Sequence, residues 1–533
     1  MLGLIAIGAF VITLLATRWG IATSSDSARY IRSARHVLGH EPRVETEVSA
    51  EAKAEQAHYP PMYSTVLALA SLGGADPLVA ARWLHAILLA ANAVIAAELV
   101  RRFTGSQPAA LFTGVVSAFS HASLYIHTIA LSEPLYVTFS LLALGMLASH
   151  LRQPSWAMLI GSALLCGAGV LTRYAGWALM PAGCVCLLLL SRRTITRRLI
   201  EAIVFGVVAC ALPIGWSVRN QMVLGSATNR VMAWHPVGLM HLRDGARTAW
   251  NWLAAERVVH PVLTGLAAIV AATILFLPLI LKRRDDEPDH VRTLPAVMIV
   301  FSLAFAALLT VSISLFDYHT PVDRRILSPV YAAWVIVAGC VLADAQRRSP
   351  AMRTAAWTIA LLLAIWSIGR GARLAHEQFR DGSGFAHRHW RESQTLAALK
   401  AHVPHEQWVY TNAPGAMYLL TNRPFIIALP SKFSASSMRA NPKYGGQLRR
   451  MRDDVESGRA VVVYLRRYAR GRQRYNPTEQ EMIGELGLRV LAAGNDGAIY
   501  HDGRNDDDGA SPSSPATAPS TSISVPPDAE TAD

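Results

Sequence analysis

Residues 131–176 read LSEPLYVTFSLLALGMLASHLRQPSWAMLIGSALLCGAGVLTRYAG, and this stretch decides the fold class. It holds two apolar blocks, near 133–150 and 155–171, joined by a short polar connection that contains Arg152. A helix of roughly 20 apolar residues crosses a hydrocarbon core of about 30 Å. Glu133 and Arg173 stand at the ends of the blocks rather than inside them. The pattern predicts two membrane-spanning helices with charged residues at the membrane surface.

The same pattern extends along most of the 533-residue chain, which is 52% hydrophobic and 16% charged. A soluble domain carries roughly 25% charged residues. The sequence therefore predicts a polytopic α-helical membrane protein with about eleven transmembrane helices. The predicted spans lie near 2–17, 78–99, 108–127, 133–150, 155–171, 175–191, 199–218, 259–281, 293–315, 326–345 and 352–369. A cleaved signal peptide is the alternative for the short first block, although the usual positive segment before it is missing.

The net charge of +13 raises the alternative of a nucleic-acid-binding protein. The basic residues alternate with the spans instead of forming a stripe on one domain, and this argues against nucleic acid as a partner. The densest basic groups occupy five short connections: Arg101–Arg102, Arg152, Arg192–Arg198, Lys282–Arg284 and Arg347–Arg353. Under the positive-inside rule these connections and the N-terminus are cytoplasmic. The sequence thus predicts a multi-pass protein of the cell (plasma) membrane, with its C-terminal domain extracytoplasmic.

Composition divides the chain into three parts. Residues 1–369 form the membrane module, with a long first outer loop over 18–77. Residues 370–505 mix strand-like and helical runs and predict a small extracytoplasmic α/β domain. The expected strands are 408–411, 425–429, 460–465 and 498–501, and the expected helices are 390–402, 447–457 and 477–486. Residues 506–533 are rich in Ser, Pro, Asp and Ala without apolar periodicity, which predicts a disordered tail.

Two acidic residues are the candidate catalytic groups. Asp26 follows the first span in SSDSARY, and Glu133 opens the fourth span in LSEPL. Both are predicted to lie on the outer side of the membrane, where they could act as a base or hold a divalent cation. The alternative for each is a structural role at the start of a helix. Five cysteines in the spans lack metal-ligand spacing and are interpreted as packing residues.

Other candidate site residues lie in the outer loops. Arginines at this level can hold a phosphate bidentately, or they can extend towards lipid headgroups instead. The candidates for binding a donor phosphate are Arg173, Tyr174, Arg324 and Arg325, and those for binding substrate are Tyr30, His58 and Tyr59. The chain has no nucleotide-binding glycine-rich loop and no Gly-x-Ser-x-Gly motif, which argues against a cytosolic nucleotide-driven reaction.

Several short motifs follow one another along the chain: Asp26–Tyr30, Tyr59–Tyr63, Ala80–Leu84, Ser132–Leu135, Leu171–Gly176, Arg324–Pro329 and, in the C-terminal domain, Tyr410–Gly415 and Leu420–Pro424. In this order they resemble the motifs of GT-C membrane glycosyltransferases, in the branch of protein O-mannosyltransferases and lipid A aminoarabinose transferases (glycosyltransferase family 39-like). The resemblance implies that Asp26 corresponds to the catalytic acidic residue of the first outer loop. It also implies that Glu133 corresponds to the acidic residue of the second outer turn.

The resemblance implies an inverting transfer of a sugar from a polyprenyl-phosphate donor to an extracytoplasmic acceptor, which is a protein, a lipid or a polysaccharide. The phosphate leaves as a stable anion, so the reaction needs a base but no general acid. The resemblance implies no particular cofactor, and a divalent metal at Asp26 and Glu133 is an open alternative. Membrane lipids are further partners. A transporter or flippase of a lipid-linked or envelope substrate is the rival function.

Overall fold

The computed structural model describes residues 1–40, 59–228, 232, 234–253, 292–318, 320–433, 440–469 and 476–502. The predicted span near 259–281, the candidate His58 and the predicted tail 506–533 lie outside these residues.

The described part of the first 381 residues is mostly α-helical. They are α1 (Leu2–Ala16), α2 (Ser25–Val37), α3 (Met62–Ala70), α4 (Pro77–Thr104), α5 (Gln107–Phe119), α6 (His121–His127), α7 (Glu133–Arg152), α8 (Trp156–Thr172), α9 (Leu179–Leu189), α10 (Ile195–Leu224), α11 (Leu239–Leu253), α12 (Thr293–Leu315), α13 (Ser328–Ala345) and α14 (Pro350–Asp381). A 3-10 turn, Tyr174–Ala178, leads into α9.

Six of these helices, α4, α7, α10, α12, α13 and α14, are long and apolar enough to cross a membrane. Helices α5 and α6 are bent by 49° at Ser120 and make a seventh candidate if they form one span. Three shorter apolar helices occupy 2–16, 156–172 and 174–189. The polytopic helical fold is confirmed, with six to seven candidate spans at positions that the sequence predicts. The total of eleven stays a prediction.

Helix α7 lies at the centre of the main hydrophobic core. Its residues Tyr136, Leu144 and Leu147 are at most 2% exposed, and they pack in one cluster with apolar side chains of α4, α8, α12 and α13. Small residues allow close approach between neighbours, because a side chain at Gly167 would lie 3.0 Å from a backbone oxygen of α10. Such contacts are typical of helices packed in lipid, where van der Waals contact drives association.

Three of the basic connections that the structure describes, those at Arg101–Arg102, Arg152 and Arg347–Arg353, meet at one end of the bundle. Arg152 donates a hydrogen bond to the Arg102 carbonyl at 3.1 Å, and Arg347 donates to the Thr104 carbonyl at 3.2 Å. Antiparallel neighbours therefore place their basic ends together, as the positive-inside argument requires. The opposite end, which we call the site face, carries the start of α7, the end of α8 and the start of α13.

The C-terminal part contains a five-stranded mixed sheet with the order β2-β1-β3-β5-β4. Its elements are α15 (Arg388–Arg391), α16 (Gln394–His402), β1 (Trp408–Thr411), α17 (Pro414–Thr421), β2 (Ile426–Ala428), α18 (Tyr444–Glu456), β3 (Ala460–Leu465), α19 (Arg466–Ala469), α20 (Glu479–Leu486), β4 (Leu488–Gly494) and β5 (Gly497–Asp502). Strands β2, β1 and β3 are parallel, and β5 runs antiparallel to β3 and β4. The small α/β fold is confirmed. The division into 1–369, 370–505 and 506–533 stays a prediction.

Three elements of this region were not predicted from the sequence: the strand β4, the helix α17 and the four-residue helix α19. In β4, an edge strand, the three consecutive residues Arg489, Val490 and Leu491 are all exposed, so the alternating pattern that marks a strand is absent. Helix α17 has only eight residues and follows Asn412 in a segment with the composition of a loop.

The C-terminal domain packs directly on the segment that carries Asp26. The Phe385 amide donates to the Thr23 carbonyl at 3.0 Å. Gly384 has a φ of +54°, and a Cβ placed there would lie 2.4 Å from the Thr23 oxygen. On the other side of this contact, a Cβ at Gly415 would lie 3.2 Å from the Cα of Ser25. Two glycines thus permit the close approach of the domain to α2.

We expect Gly384→Ala to destabilise the protein by about 1 to 3 kcal/mol, because Ala disfavours this left-handed conformation and its Cβ collides with Thr23. Thermal unfolding in detergent measures the change. The matched control is Gly445→Ala in α18, where a Cβ meets nothing within 4 Å and the φ is not positive. The control should be neutral or slightly stabilising. Equal unfolding temperatures for the two variants would contradict the close contact.

Candidate active site

A single parallel bridge brings the two acidic segments together. Ala22 pairs with Ile129: its amide donates to the Thr128 carbonyl at 3.0 Å, and its carbonyl accepts from Ala130 at 2.8 Å. Ser24 then caps α2, so that Asp26 falls in the first turn of that helix. Glu133 is the first residue of α7. The bridge therefore places both predicted catalytic carboxylates at the site face.

Arg325, just before α13, lies between the two carboxylates. Its Nη2 donates to Asp26 Oδ2 at 3.0 Å and its Nε to Glu133 Oε1 at 3.1 Å. From the sequence, this arginine is predicted to bind the donor phosphate. In the structure it also connects its own segment with those of Asp26 and Glu133, which are distant in sequence.

Arg173, at the end of α8, is the second cation of the site. Its Nη1 contacts Glu133 Oε1 at 2.9 Å and donates to Ser132 Oγ at 3.1 Å. The Ser132 hydroxyl is also 3.0 Å from the Tyr30 hydroxyl. Arg173 is thus held by a buried carboxylate and a serine, and Tyr30 joins α2 to the same serine.

Tyr59 and Arg29 complete the surroundings of Asp26. The Tyr59 hydroxyl donates to Asp26 Oδ1 at 3.0 Å and accepts from Arg29 Nη1 at 2.7 Å. Burial, and the nearby charge of Asp26, raise the pKa of Tyr59. The phenol therefore stays protonated and acts as a donor to the carboxylate.

The two carboxylates differ sharply in accessibility. The side chain of Asp26 is 33% exposed, whereas that of Glu133 is 1% exposed. The second oxygen of Glu133, Oε2, is buried and has no hydrogen-bond partner among the described residues. Asp26 can meet a substrate from the site face, and Glu133 is enclosed by protein.

The charges around Asp26 keep it ionised. Burial by itself would raise the pKa of Asp26, but the charge of Arg325 and the hydrogen bonds from Arg325 and Tyr59 outweigh it, and the pKa is lowered. For Arg325, burial would lower the pKa, but the charges of Glu133 and Asp26 raise it. Asp26 and Arg325 thus stabilise each other as an ion pair.

The remaining described candidates, Arg324 and Tyr174, are the chain neighbours of Arg325 and Arg173. Among the described residues Arg324 makes no ion pair, and its guanidinium carbon lies 4.2 Å from the centre of the Tyr125 ring. Tyr174 is half-buried in the turn that follows Arg173. That turn is tight, since a Cβ at Gly176 would lie 2.5 Å from backbone atoms of α8.

Three contributors were not assigned from sequence: Arg29, Ser132 and Tyr125. Arg29 and Ser132 stand within the motifs of the two acidic residues, so adjacency to a candidate carboxylate was the available signal. Tyr125 carried no such signal, because its contact with Arg324 joins α6 to the start of α13.

The position that the sequence analysis leaves open for a divalent cation is filled by a guanidinium. A cation bound by both Asp26 and Glu133 would have to displace Arg325. Among the described residues, no group of three or more His, Cys, Asp or Glu side chains could hold a metal ion. The donor set present here is an arginine-linked carboxylate pair, and a divalent cation at Asp26 and Glu133 stays a prediction.

Residues 14–217 match the family model described as dolichyl-phosphate-mannose-protein mannosyltransferase. This match covers α2, the bridge at Ala22, Glu133 and Arg173. A comparison with curated proteins gives no match.

The fold is similar to that of ArnT from Cupriavidus metallidurans. The structure of ArnT bound to undecaprenyl phosphate has a TM-score of 0.50 and 14% identity, and the match covers 94% of this chain and 98% of that chain. The apo structure also gives a TM-score of 0.50 and 14% identity, with coverage of 93% and 97%. Arabinofuranosyltransferase AftD from Mycobacteria has a TM-score of 0.52 and 16% identity, and covers 95% of this chain but 42% of its own length.

At these identities, the structural likeness supports the fold alone. The family model adds the sequence evidence for the segments that build the site. Together they confirm the resemblance drawn from the outer loops, to membrane glycosyltransferases of the GT-C class.

Proposed function

We propose that this protein is an inverting glycosyltransferase that moves a sugar from a polyprenyl-phosphate donor to a hydroxyl-bearing extracytoplasmic acceptor, with Asp26 as the general base. The observation that carries this proposal is the contrast between an ionised, one-third exposed Asp26 and an enclosed Glu133 on the same arginine. A base must reach the proton that it removes. Asp26 meets this condition, and Glu133 serves to hold Arg173 and Arg325.

In the proposed reaction, the acceptor hydroxyl donates its proton to Asp26 while its oxygen bonds to the anomeric carbon of the sugar. The bond from that carbon to the phosphate oxygen breaks, and the polyprenyl phosphate leaves with the electron pair. Attack opposite the leaving group inverts the anomeric centre. Tyr59 occupies one lone pair of Asp26 Oδ1, and a carboxylate oxygen has a second that can accept from the acceptor.

The donor phosphate is proposed to bind between Arg324 and the outer edge of Arg325. Within the described residues, Arg324 makes no ion pair and only stacks on Tyr125, and Nη1 of Arg325 makes no hydrogen bond. Arg173, by contrast, is committed to Glu133 and Ser132. We therefore assign Arg173 a positioning role instead of the phosphate contact expected from sequence.

The donor class rests on two supports. The matching family model is described by its dolichyl-phosphate-mannose donor, and the ArnT structure is bound to undecaprenyl phosphate. Both ligands are polyprenyl phosphates, and guanidinium groups at the membrane surface suit their headgroup. The lipid tail would lie among the spans.

The extracytoplasmic placement of the reaction is also part of the proposal. Its support is the gathering of basic connections at the end of the bundle opposite the site face. The C-terminal domain, which touches α2 through a 2.9 Å contact between the Tyr468 and Ser25 hydroxyls, then stands on the acceptor side. We propose that this domain borders the acceptor entrance.

Asp26→Asn should lower the transfer rate by about 10²- to 10⁴-fold, because it removes the base and preserves the shape of the side chain. The measurement is release of polyprenyl phosphate from a panel of labelled polyprenyl-phosphate sugars by purified protein, with isolated envelope material as the acceptor. Asp76→Asn is the matched control, since Asp76 caps α4 on the same face and Asn keeps the cap. Near-normal turnover by Asp26→Asn would refute the assignment of the base.

Arg325→Gln should shift the acid limb of kcat/KM to higher pH. In the native protein, the lowered pKa of Asp26 keeps the base ionised, so activity is lost only as the pH falls below the ordinary value of about 3.9. Without Arg325, burial dominates, the pKa of Asp26 rises, and the base is lost at a higher pH. The control is Arg324→Gln. It should raise the donor KM and leave the acid limb of the kcat/KM profile at its native pH. Identical limbs in the two variants would contradict this account.

Arg173→Met should destabilise the protein by about 2 to 3 kcal/mol, because the buried Glu133 loses one of its two cations. Arg324→Met should have little effect on stability, since Arg324 has no buried anionic partner among the described residues. Thermal unfolding compares the two. Adding Glu133→Gln to Arg173→Met should recover part of the loss. The positioning role is wrong if Arg173→Met is as stable as the native protein.

A further inference from the structure

A buried polar cluster lies beneath the site, inside the bundle. It consists of Tyr63 on α3, His85 and Asn92 on α4, His127 at the end of α6, and Thr138 on α7, and we call it the Asn92 network. His85, Asn92 and His127 are 0%, 4% and 2% exposed. Polar groups buried at membrane depth are costly and need partners. The proposed reaction uses none of these side chains.

The hydrogen bonds of the two histidines fix their tautomers. His127 Nδ1 lies 2.7 Å from the Ser123 carbonyl, so it is the donor, and Nε2 accepts from Asn92 Nδ2 at 3.1 Å. His85 Nδ1 lies 3.2 Å from the His127 carbonyl and donates to it, so Nε2 accepts from the Tyr63 hydroxyl at 2.7 Å. Each ring thus has one donor and one acceptor in use, which requires neutral imidazoles.

Asn92 links the end of α6 to the start of α7, across the non-helical segment between them. Its amide donates both to His127, the last residue of α6, and to the Pro134 carbonyl in the first turn of α7, at 3.1 Å each. Its Oδ1 accepts from the Thr138 hydroxyl at 2.7 Å. Both N–H groups of the amide and one lone pair of its oxygen are therefore in use across the irregular segment 128–132.

That segment determines where the proposed base Asp26 and the enclosed Glu133 lie. Ile129 forms the bridge with Ala22, which precedes Asp26 by four residues, and Pro134 follows Glu133 directly. A shift at either end of the segment would move Asp26 relative to Arg325. Errors of about 1 Å in such a constellation cost on the order of 10²-fold in rate.

A second connection runs from the Asn92 network to the same segment. The Tyr63 ring meets the Tyr30 ring edge-on, with centroids 5.0 Å apart, and the Tyr30 hydroxyl contacts Ser132 Oγ at 3.0 Å. Tyr63 therefore connects His85 to the residue that precedes Glu133.

We propose that Asn92 is a positioning residue for transfer: through His127 and Pro134 it fixes the segment 128–132 and so sets the relation of Asp26 and Glu133 to Arg325. The inference rests on the proposed function, because it takes these two carboxylates as the working site. It assigns a catalytic consequence to an amide that touches neither substrate nor carboxylate.

Asn92→Leu tests the proposal, since it keeps a similar size and removes all three hydrogen bonds. We expect kcat, measured as release of polyprenyl phosphate, to fall at least tenfold while the donor KM stays within twofold. The matched control is Ser162→Ala, which removes another buried interhelical hydrogen bond, from Ser162 to the Ala143 carbonyl at 2.7 Å, away from the site. It should lose comparable stability and keep its kcat.

Thr138→Val removes the hydroxyl that donates to Asn92 Oδ1 and to the Pro134 carbonyl, and it should lower kcat about two- to threefold at unchanged KM. It decides the question if Asn92→Leu is not recovered folded. The proposal is overturned if Asn92→Leu, or Thr138→Val in its place, keeps the native kcat. It is also overturned if Ser162→Ala loses as much kcat as that variant. A native rate in Asp26→Asn would instead overturn the proposed base, so the two failures are distinguishable.

Discussion

The buried carboxylate of Glu133 is the constraint on which the arrangement of the site depends. A charge enclosed by protein is stable only when it is paired and hydrogen-bonded. Glu133 Oε1 obtains two cations, Arg173 from the end of α8 and Arg325 from the start of α13, at 2.9 and 3.1 Å. One enclosed anion thereby ties three helix ends together at the site face.

The same arrangement explains why two carboxylates on one arginine have different roles. Arg325 contacts both, but Asp26 is one-third exposed and Glu133 is closed off. Arg173 is held by Glu133 and Ser132. Arg324 has no carboxylate partner among the described residues, and for this reason we propose it as the anchor for an anionic headgroup. Arg325 can contact the two carboxylates and a phosphate at the same time, because its guanidinium has more N–H donors than its two contacts with the carboxylates use.

The segment between α6 and α7 shows how irregular backbone is accommodated in a membrane protein. Backbone groups away from water must find partners, and non-helical chain at this depth is tolerated where protein surrounds it. Here the bridge to Ala22 satisfies backbone groups on one side. On the other side, the side chain of Asn92 adds a hydrogen bond to the Pro134 carbonyl in the first turn of α7. A bundle of regular helices can thus present a broken, polar edge at which chemistry is possible.

The sequence by itself determined the membrane class, the positions of the apolar helices, the small α/β domain and the two acidic residues. These follow from composition and local period, which depend on neighbouring residues only. It also marked the arginines at the site face, because charged residues at span ends are few in so apolar a chain. The strand β4 was missed, since its exposed residues carry no alternating pattern.

Only the tertiary structure decided which contacts, and therefore which role, each of these residues has. Arg173 and Arg325 are alike in sequence terms, yet one is held by Glu133 and Ser132 and the other joins Asp26 to Glu133. The pairing of Ala22 with Ile129, and of Asn92 with His127, spans residues that no local pattern connects. Burial, distance and hydrogen-bond partnership arise when distant segments pack together, and they set both the pKa of Asp26 and the enclosure of Glu133.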